Sequence, residues 1–301
     1  MGGQNYEKQV LNETVYLDVS ESDNEFQPGC KLPLSVYGHC ALNVKIPLVD
    51  SPTNNEDYWE SVIMMGGYEG VDRFRVQSTD KTFAYCKSND NINETICGPA
   101  ISDELQSEHG DYGWSEMPSI KSIVYGKKGF GHTYCAQFVD ESLCDGVCLI
   151  AHGTWNQVAE YFPLERCAKT GQECEGWKDE IDGVKLDIPN FAEHALGGMI
   201  TLNNVPTLFL PLYNNTGANG WQEKWTEVMQ FKNNKWETVE QWDINRGSFV
   251  PISVPKDFLC PKDSTRTTTN NPDSAAQGLQ GENLWMIFGA YLLSRVFAFL
   301  N

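Results

Sequence analysis

The side chains with the reach for catalysis are five histidines, at 39, 109, 132, 152 and 194, and ten cysteines. His39 and His132 each follow a glycine at the start of an alternating apolar stretch, and His194 stands at the corresponding place further on. A residue that returns once per structural unit is a packing or hydrogen-bonding element, so these three are expected to be structural. His152 replaces a glycine at a turn, and His109 lies in a polar insertion. No spacing suggests a Ser/His/Asp or Cys/His arrangement. G-x-S-x-G, a phosphate loop and H-E-x-x-H are all missing. No cysteine pair has the C-x-x-C spacing of a zinc site. Neither a cofactor nor a metal is expected.

The cysteines, at 30, 40, 86, 97, 135, 144, 148, 167, 174 and 260, are even in number and mostly lie beside turns. Sequons stand at Asn12, Asn93 and Asn214, each in a polar stretch. Together they favour an oxidising, secretory compartment and glycosylation at those asparagines. Cys86 with Cys97 and Cys167 with Cys174 would each close a polar loop. Against 22 Lys and Arg stand 41 Asp and Glu, a net charge of −19, which repels phosphate backbones and excludes a nucleic-acid partner. The densest acidic run, 20–25, has no EF-hand spacing and reads as a solvated loop.

The elements that position these residues repeat. Ser61 to Gly67, S-V-I-M-M-G-G, is an apolar strand with a glycine exit. A strand precedes it at 37–44, and alternating strands follow at 72–77 and 81–86. An insertion at 89–113 then leads to Trp114. Residues 129–138, 146–154 and 160–164 repeat that order up to Trp177. Residues 193–202, 206–213 and a hairpin across Asn233-Asn234 repeat it again, with Trp236 in its second strand. The tryptophans stand 63 and 59 residues apart. Four-stranded units with two open faces are stable when packed radially.

Gly66-Gly67 with Trp114, and Gly38-His39, Gly131-His132 and His194 on the first strands, resemble the kelch repeat of β-propellers. The likeness covers most of residues 1–260, is closest to cysteine-containing invertebrate surface proteins, and implies an all-β, kelch-like propeller. About three full four-stranded blades and partial terminal units are expected. Met1-Gly2-Gly3 aligns with Met65-Gly66-Gly67, so the chain is expected to begin inside a blade, with a signal peptide and at least half a blade upstream. In the alternative, a short propeller, residues 249–254 complete a composite fourth blade with the N-terminal strands.

Residues 261–283 read as a polar stalk, and 284–300 as an apolar membrane-anchor tail that is short for a spanning helix. Ser274-Ala275-Ala276, a polar spacer and that tail match a GPI signal, which places lipid attachment at Ser274. The expectation is a binding module on the extracellular face of the plasma membrane. It recognises a protein or glycan through propeller loops, with Trp155, Trp221 and Trp225 as candidate contacts. One alternative is a secreted copper radical oxidase resembling galactose oxidase, for which Tyr134 with Cys135 would be an example of the linked pair. Another is an intracellular kelch adaptor.

Overall fold

Short runs of β-branched and aromatic residues punctuated by glycine and Asn-Asn pairs favour strands joined by tight turns, and strands dominate the computed structural model. It describes residues 2–5, 7, 9–17, 26–47, 58–72, 74–87, 92–98, 112–121, 123–124, 127–129, 131–154, 156–189, 197–215, 221–243, 249–252 and 286–289. His109, Trp155, His194, Cys260 and Ser274 lie outside the described residues.

The first part is a short hairpin, β1 (Gly3–Gln4) with β2 (Val10–Leu11), followed by the pair β3 (Thr14–Leu17) and β4 (Phe26–Gly29). In the first full unit, β5 (Val36–Tyr37) leads into β6 (Cys40–Pro47), which pairs with β7 (Tyr58–Met65). An excursion, β8 (Tyr68–Gly70) and β9 (Val76–Ser78), pairs back onto β5. Then β10 (Thr82–Lys87) and β11 (Tyr112–Met117) complete a four-stranded antiparallel sheet in the order β6-β7-β10-β11. A hairpin, β12 (Ile123–Val124) with β13 (Lys127–Lys128), leads to the second unit.

There β14 (Thr133–Asp140), the one-turn helix α1 (Glu141–Cys144), β15 (Gly146–Gly153) and β16 (Glu160–Phe162) form a meander. The fourth position is a single bridge, Tyr161 with Lys178, beside the fully buried Trp177. Between them lies α2 (Leu164–Thr170), where a cysteine-bearing turn was expected. Pro163 starts that helix and Gly171, at φ +69°, ends it. A hairpin, β17 (Glu180–Ile181) with β18 (Val184–Lys185), follows. The third unit is the four-stranded meander β19 (Gly198–Leu202), β20 (Val205–Asn215), β21 (Trp221–Lys232) and β22 (Lys235–Trp242). Its turns are Asn203-Asn204 and Asn233-Asn234, all with positive φ. Last, β23 (Phe249–Ile252) pairs with β24 (Met286–Gly289). Four residues of the expected anchor tail are thus a strand. Among the described residues no helix is long and apolar enough to cross a membrane.

Two features recur from unit to unit. Leu32, Ile120 and Ile188, all buried, donate their backbone N–H to Asn12, Asp80 and Gln157, at 2.6, 2.9 and 2.8 Å. Gly2 donates to Glu13 and Gly66 to Lys81, and both glycine pairs hold positive φ: +56° and +107°, then +62° and +95°. Residues 2–29 therefore repeat the second half of the first full unit. The first strands β6, β14, β19 and β23 are neighbours in that order. The all-β architecture is as expected.

Four disulfides form among the described residues. Cys86–Cys97 and Cys167–Cys174 are the two expected local pairs. Cys144–Cys148 staples α1 to β15, and Cys40–Cys135, 95 residues apart, ties β6 to β14. Four bridges fit an oxidising environment. Cys30 is a free thiol. Loop-closure entropy makes the long bridge the most stabilising of the four. Replacing Cys40 and Cys135 together by serine should cost about 2–4 kcal/mol. Chemical denaturation under non-reducing conditions measures the loss, and an unchanged midpoint would contradict it.

Candidate functional sites

Of the five histidines, His39, His132 and His152 are described. His39 and His132 stand at the starts of the first strands. A Cβ at Gly38, which holds φ +65°, would collide with the His132 ring. His39 is half-buried, but its Nδ1 is shielded from solvent without a hydrogen-bond partner among the described residues, and burial holds its pKa down to about 4. His132 is lowered by the same cause. His152 is fully buried in β15. Its Nε2–H donates to the Asn156 carbonyl at 2.7 Å, and desolvation again brings the pKa to about 4. None of these rings is placed to hold a charge near neutrality.

The oxidase example dissolves in the same way. Cys135 is spent on Cys40, and the Tyr134 hydroxyl accepts the Gly197 N–H at 2.9 Å. Among the described residues no three His, Cys, Asp or Glu side chains gather to hold a metal. Trp114, Trp177 and Trp236 are buried in the core. Trp225 is not a loop residue. β20 and β21 run on past the expected turn, so Trp225 lies within β21, half-buried, with its Nε1–H 3.4 Å from Glu227. Trp221 also belongs to β21, at its first position. Asn12 and Asn93 are half-buried, and Asn93 Oδ1 accepts the Thr95 N–H at 2.9 Å. Asn214 lies in β20.

Two places remain where the surface is shaped. The first is the end of the units at which the glycine exits and first strands meet. Tyr37 and Tyr68 stack at 5.2 Å there, with His132 edge-on to both. The stretch 72–77 reads in sequence as a strand; its end joins β9 at Val76, but at Phe74 and Arg75 the chain turns. Asp72 accepts the N–H groups of Phe74 and Arg75 at 2.9 and 3.2 Å and takes the Arg75 guanidinium at 2.6 and 2.9 Å. Those bonds to Arg75, with the help of the backbone donors, hold the Asp72 carboxyl below the usual carboxylate range. The tip is braced by Val10 N–H on Val71 O at 3.2 Å. It holds Val71 and Phe74 68% and 74% exposed. Beside it is a cavity of about 530 Å³ lined by Leu34, Ser35, Glu69, Arg75 and Gln77. Sequence reasoning missed this tip, although Asp two and three residues before the donors is a turn signal.

The second place is a cavity of about 470 Å³ on the second unit, between its two helices and the β17–β18 hairpin. Arg166 dominates one wall. It donates to both Asp145 oxygens at 2.9 and 3.0 Å, to the Ser142 carbonyl at 2.9 Å and to Glu173 at 2.8 Å. Glu173 also receives Lys178. The Lys178 bond, helped by Arg166, keeps the Glu173 carboxyl below its ordinary range.

No family model matches the chain, and no curated protein does. Among solved structures it is similar to one described as the structure of YjhT, with 11% identical residues over 83% of this chain and 85% of that one. The TM-score is 0.36, and a likeness of that size shows neither fold nor function.

The buried histidines make stability depend on pH. Their folded pKa values lie below the unfolded value of 6.5. Below pH 6.5 the unfolded chain therefore binds protons that the folded chain refuses. Stability is full above 6.5 and falls as the pH drops towards 4, by about 3 kcal/mol for His152. Denaturation midpoints between pH 7.5 and 5 should show this fall, above the range where carboxylates titrate. His152→Gln should make it shallower, leaving the part due to His39 and His132, and an equal slope in that variant would refute the assignment.

Proposed function

We propose that the chain is a kelch-type propeller displayed outside the cell, where it binds another protein through the hairpin end of its units. The observation that carries this is the β8–β9 tip. Exposing Val71 and Phe74 on a mobile loop would cost little. Here the Asp72 bonds fix the backbone so that both apolar side chains stay in water. A rigid aromatic with apolar company is the usual anchor of a protein interface, because little entropy remains to be lost on docking. The acidic surface of this chain favours a partner with basic residues around the pocket that takes Phe74. Residues 284–300 would direct the chain to the membrane. Lipid attachment at Ser274 would remove them together with β24, and phosphatidylinositol-specific phospholipase would then release the protein from cells.

The binding reading is tested by screening the purified chain against a library of extracellular proteins. Hits are then titrated with wild type and Phe74→Asp. The variant should bind at least about 30-fold more weakly, the cost of losing a hot-spot residue, with its unfolding midpoint unchanged. Partners that bind both forms equally would remove the tip from the interface.

A further inference from the structure

The cavity on the second unit is built more firmly than packing alone requires. Two disulfides, Cys144–Cys148 and Cys167–Cys174, brace the helices that wall it. Four of the five Arg166 N–H groups are fixed by protein acceptors. Glu173 holds φ +56°, a left-handed conformation that a glutamate adopts only where its surroundings impose it. Among the described residues, every other side-chain-bearing position with positive φ is Asp or Asn. The Arg166 and Lys178 ion pairs hold Glu173 there, facing the cavity.

The chemistry of the lining selects a ligand class. Lys121, Arg166 and Lys178 supply donors, and Glu173, Glu180 and Asp182 supply acceptors. Glu180, Asp182 and the Lys121 ammonium have no hydrogen-bond or ion-pair partner among the described residues. An anion would meet the carboxylates, and a cation would meet the three bases. A neutral polyhydroxyl molecule can donate to the carboxylates and accept from the ammonium groups at once, through charge-assisted bonds. A volume of about 470 Å³ falls in the range of small-molecule sites. We propose that this cavity binds a neutral saccharide, one or two pyranose rings, with Glu180, Asp182 and Lys121 bonding its hydroxyls. The site is separate from the hairpin end, so failure here leaves the Phe74 reading standing, and the reverse holds too.

The test uses the full chain and saturation-transfer NMR. The probes are the methyl glycosides of glucose, galactose, mannose, xylose and N-acetylglucosamine, and the disaccharides of the best binder. At least one probe should bind saturably with Kd below about 10 mM. Glu180→Gln and Asp182→Asn should each weaken it at least about fivefold, as loss of a charge-assisted bond does, with the unfolding midpoint unchanged. These two side chains carry no structural bond, so folding is not at risk from the substitutions. Absence of transfer to every probe would overturn the proposal, as would binding that both variants leave intact. With glucosamine and glucose 6-sulfate run alongside as charged probes, tighter binding of either than of the neutral set would overturn it too, because that would mark an ion site.

Discussion

Each unit carries apolar side chains on both faces of its sheet, and only neighbouring units can cover them. The consecutive residues Met64 and Met65 of β7 show this. Met65 packs with the second unit in one core cluster, and Met64 packs with Leu32 and Val36 in another. Leu149 and Ile150 of β15 divide between the first–second and second–third cores in the same way. Leu208 and Phe209 of β20 repeat the split once more. Strand alternation therefore becomes an alternation of partners, and the core is a stack of inter-unit layers. Burial of this kind cannot be achieved by one unit, so stability belongs to the array.

Closeness at the first strands follows from that stacking. Gly66 has no room for a side chain because the Thr133 hydroxyl of the next unit occupies the place, and Gly67 donates to the same hydroxyl at 3.0 Å. The glycine exit is thus a unit-to-unit contact as well as a turn. Trp177 and Glu160 reach back in the same direction. The indole donates to Pro118 O at 3.1 Å and the buried carboxylate takes the Lys121 N–H at 2.9 Å. Both hold the segment that leaves the first unit. Cys40–Cys135 adds a covalent tie where β6 meets β14. Trp177 accordingly fastens the second unit to the first, whereas the Nε1–H groups of Trp114 and Trp236 make no such bond among the described residues.

Sequence periodicity revealed most of this architecture, because strand alternation and glycine exits are local properties. The expected strand at 146–154 matches β15 nearly residue for residue, and the Asn233-Asn234 hairpin lies where the turn chemistry puts it. What was not legible depends on distance. Nothing in the spacing of ten cysteines pairs Cys40 with Cys135. Helix α2 is seven residues long, too short for periodicity, although Pro163 and Gly171 frame it in the manner of helix boundaries. The second cavity draws Lys121, Arg166, Glu173 and Asp182 from across 62 residues, so no window of sequence contains it. The hairpin tip was misread for a different reason. Alternation at 72–77 predicts one continuous strand, and the Asp72 side chain turns the chain at Phe74 and Arg75, so that only Val76 and Gln77 of that stretch join β9.

Charge is distributed by the same geometry. Residues 26–49, 117–139, 194–222 and 244–256 contain no Asp or Glu, in a chain that has 41 of them. These stretches contain β6, β19, β23 and all of β14 except its last residue, Asp140, the strands that lie side by side. Carboxylates on neighbouring first strands would face one another at short range with little water between, where repulsion is strongest. Apart from the buried Glu160, Glu165 and Glu227, the described acidic residues are instead carried by the outer strands, the loops and the hairpins, where solvent screens them. Consequently the shaped surfaces, the tip at Phe74 and the cavity at Arg166, each need their own internal ion pairs to hold position against an acidic surround. Asp72 with Arg75, and Glu173 with Arg166 and Lys178, supply them. Local cation–carboxylate pairing is therefore a condition for having rigid recognition surfaces on so acidic a molecule.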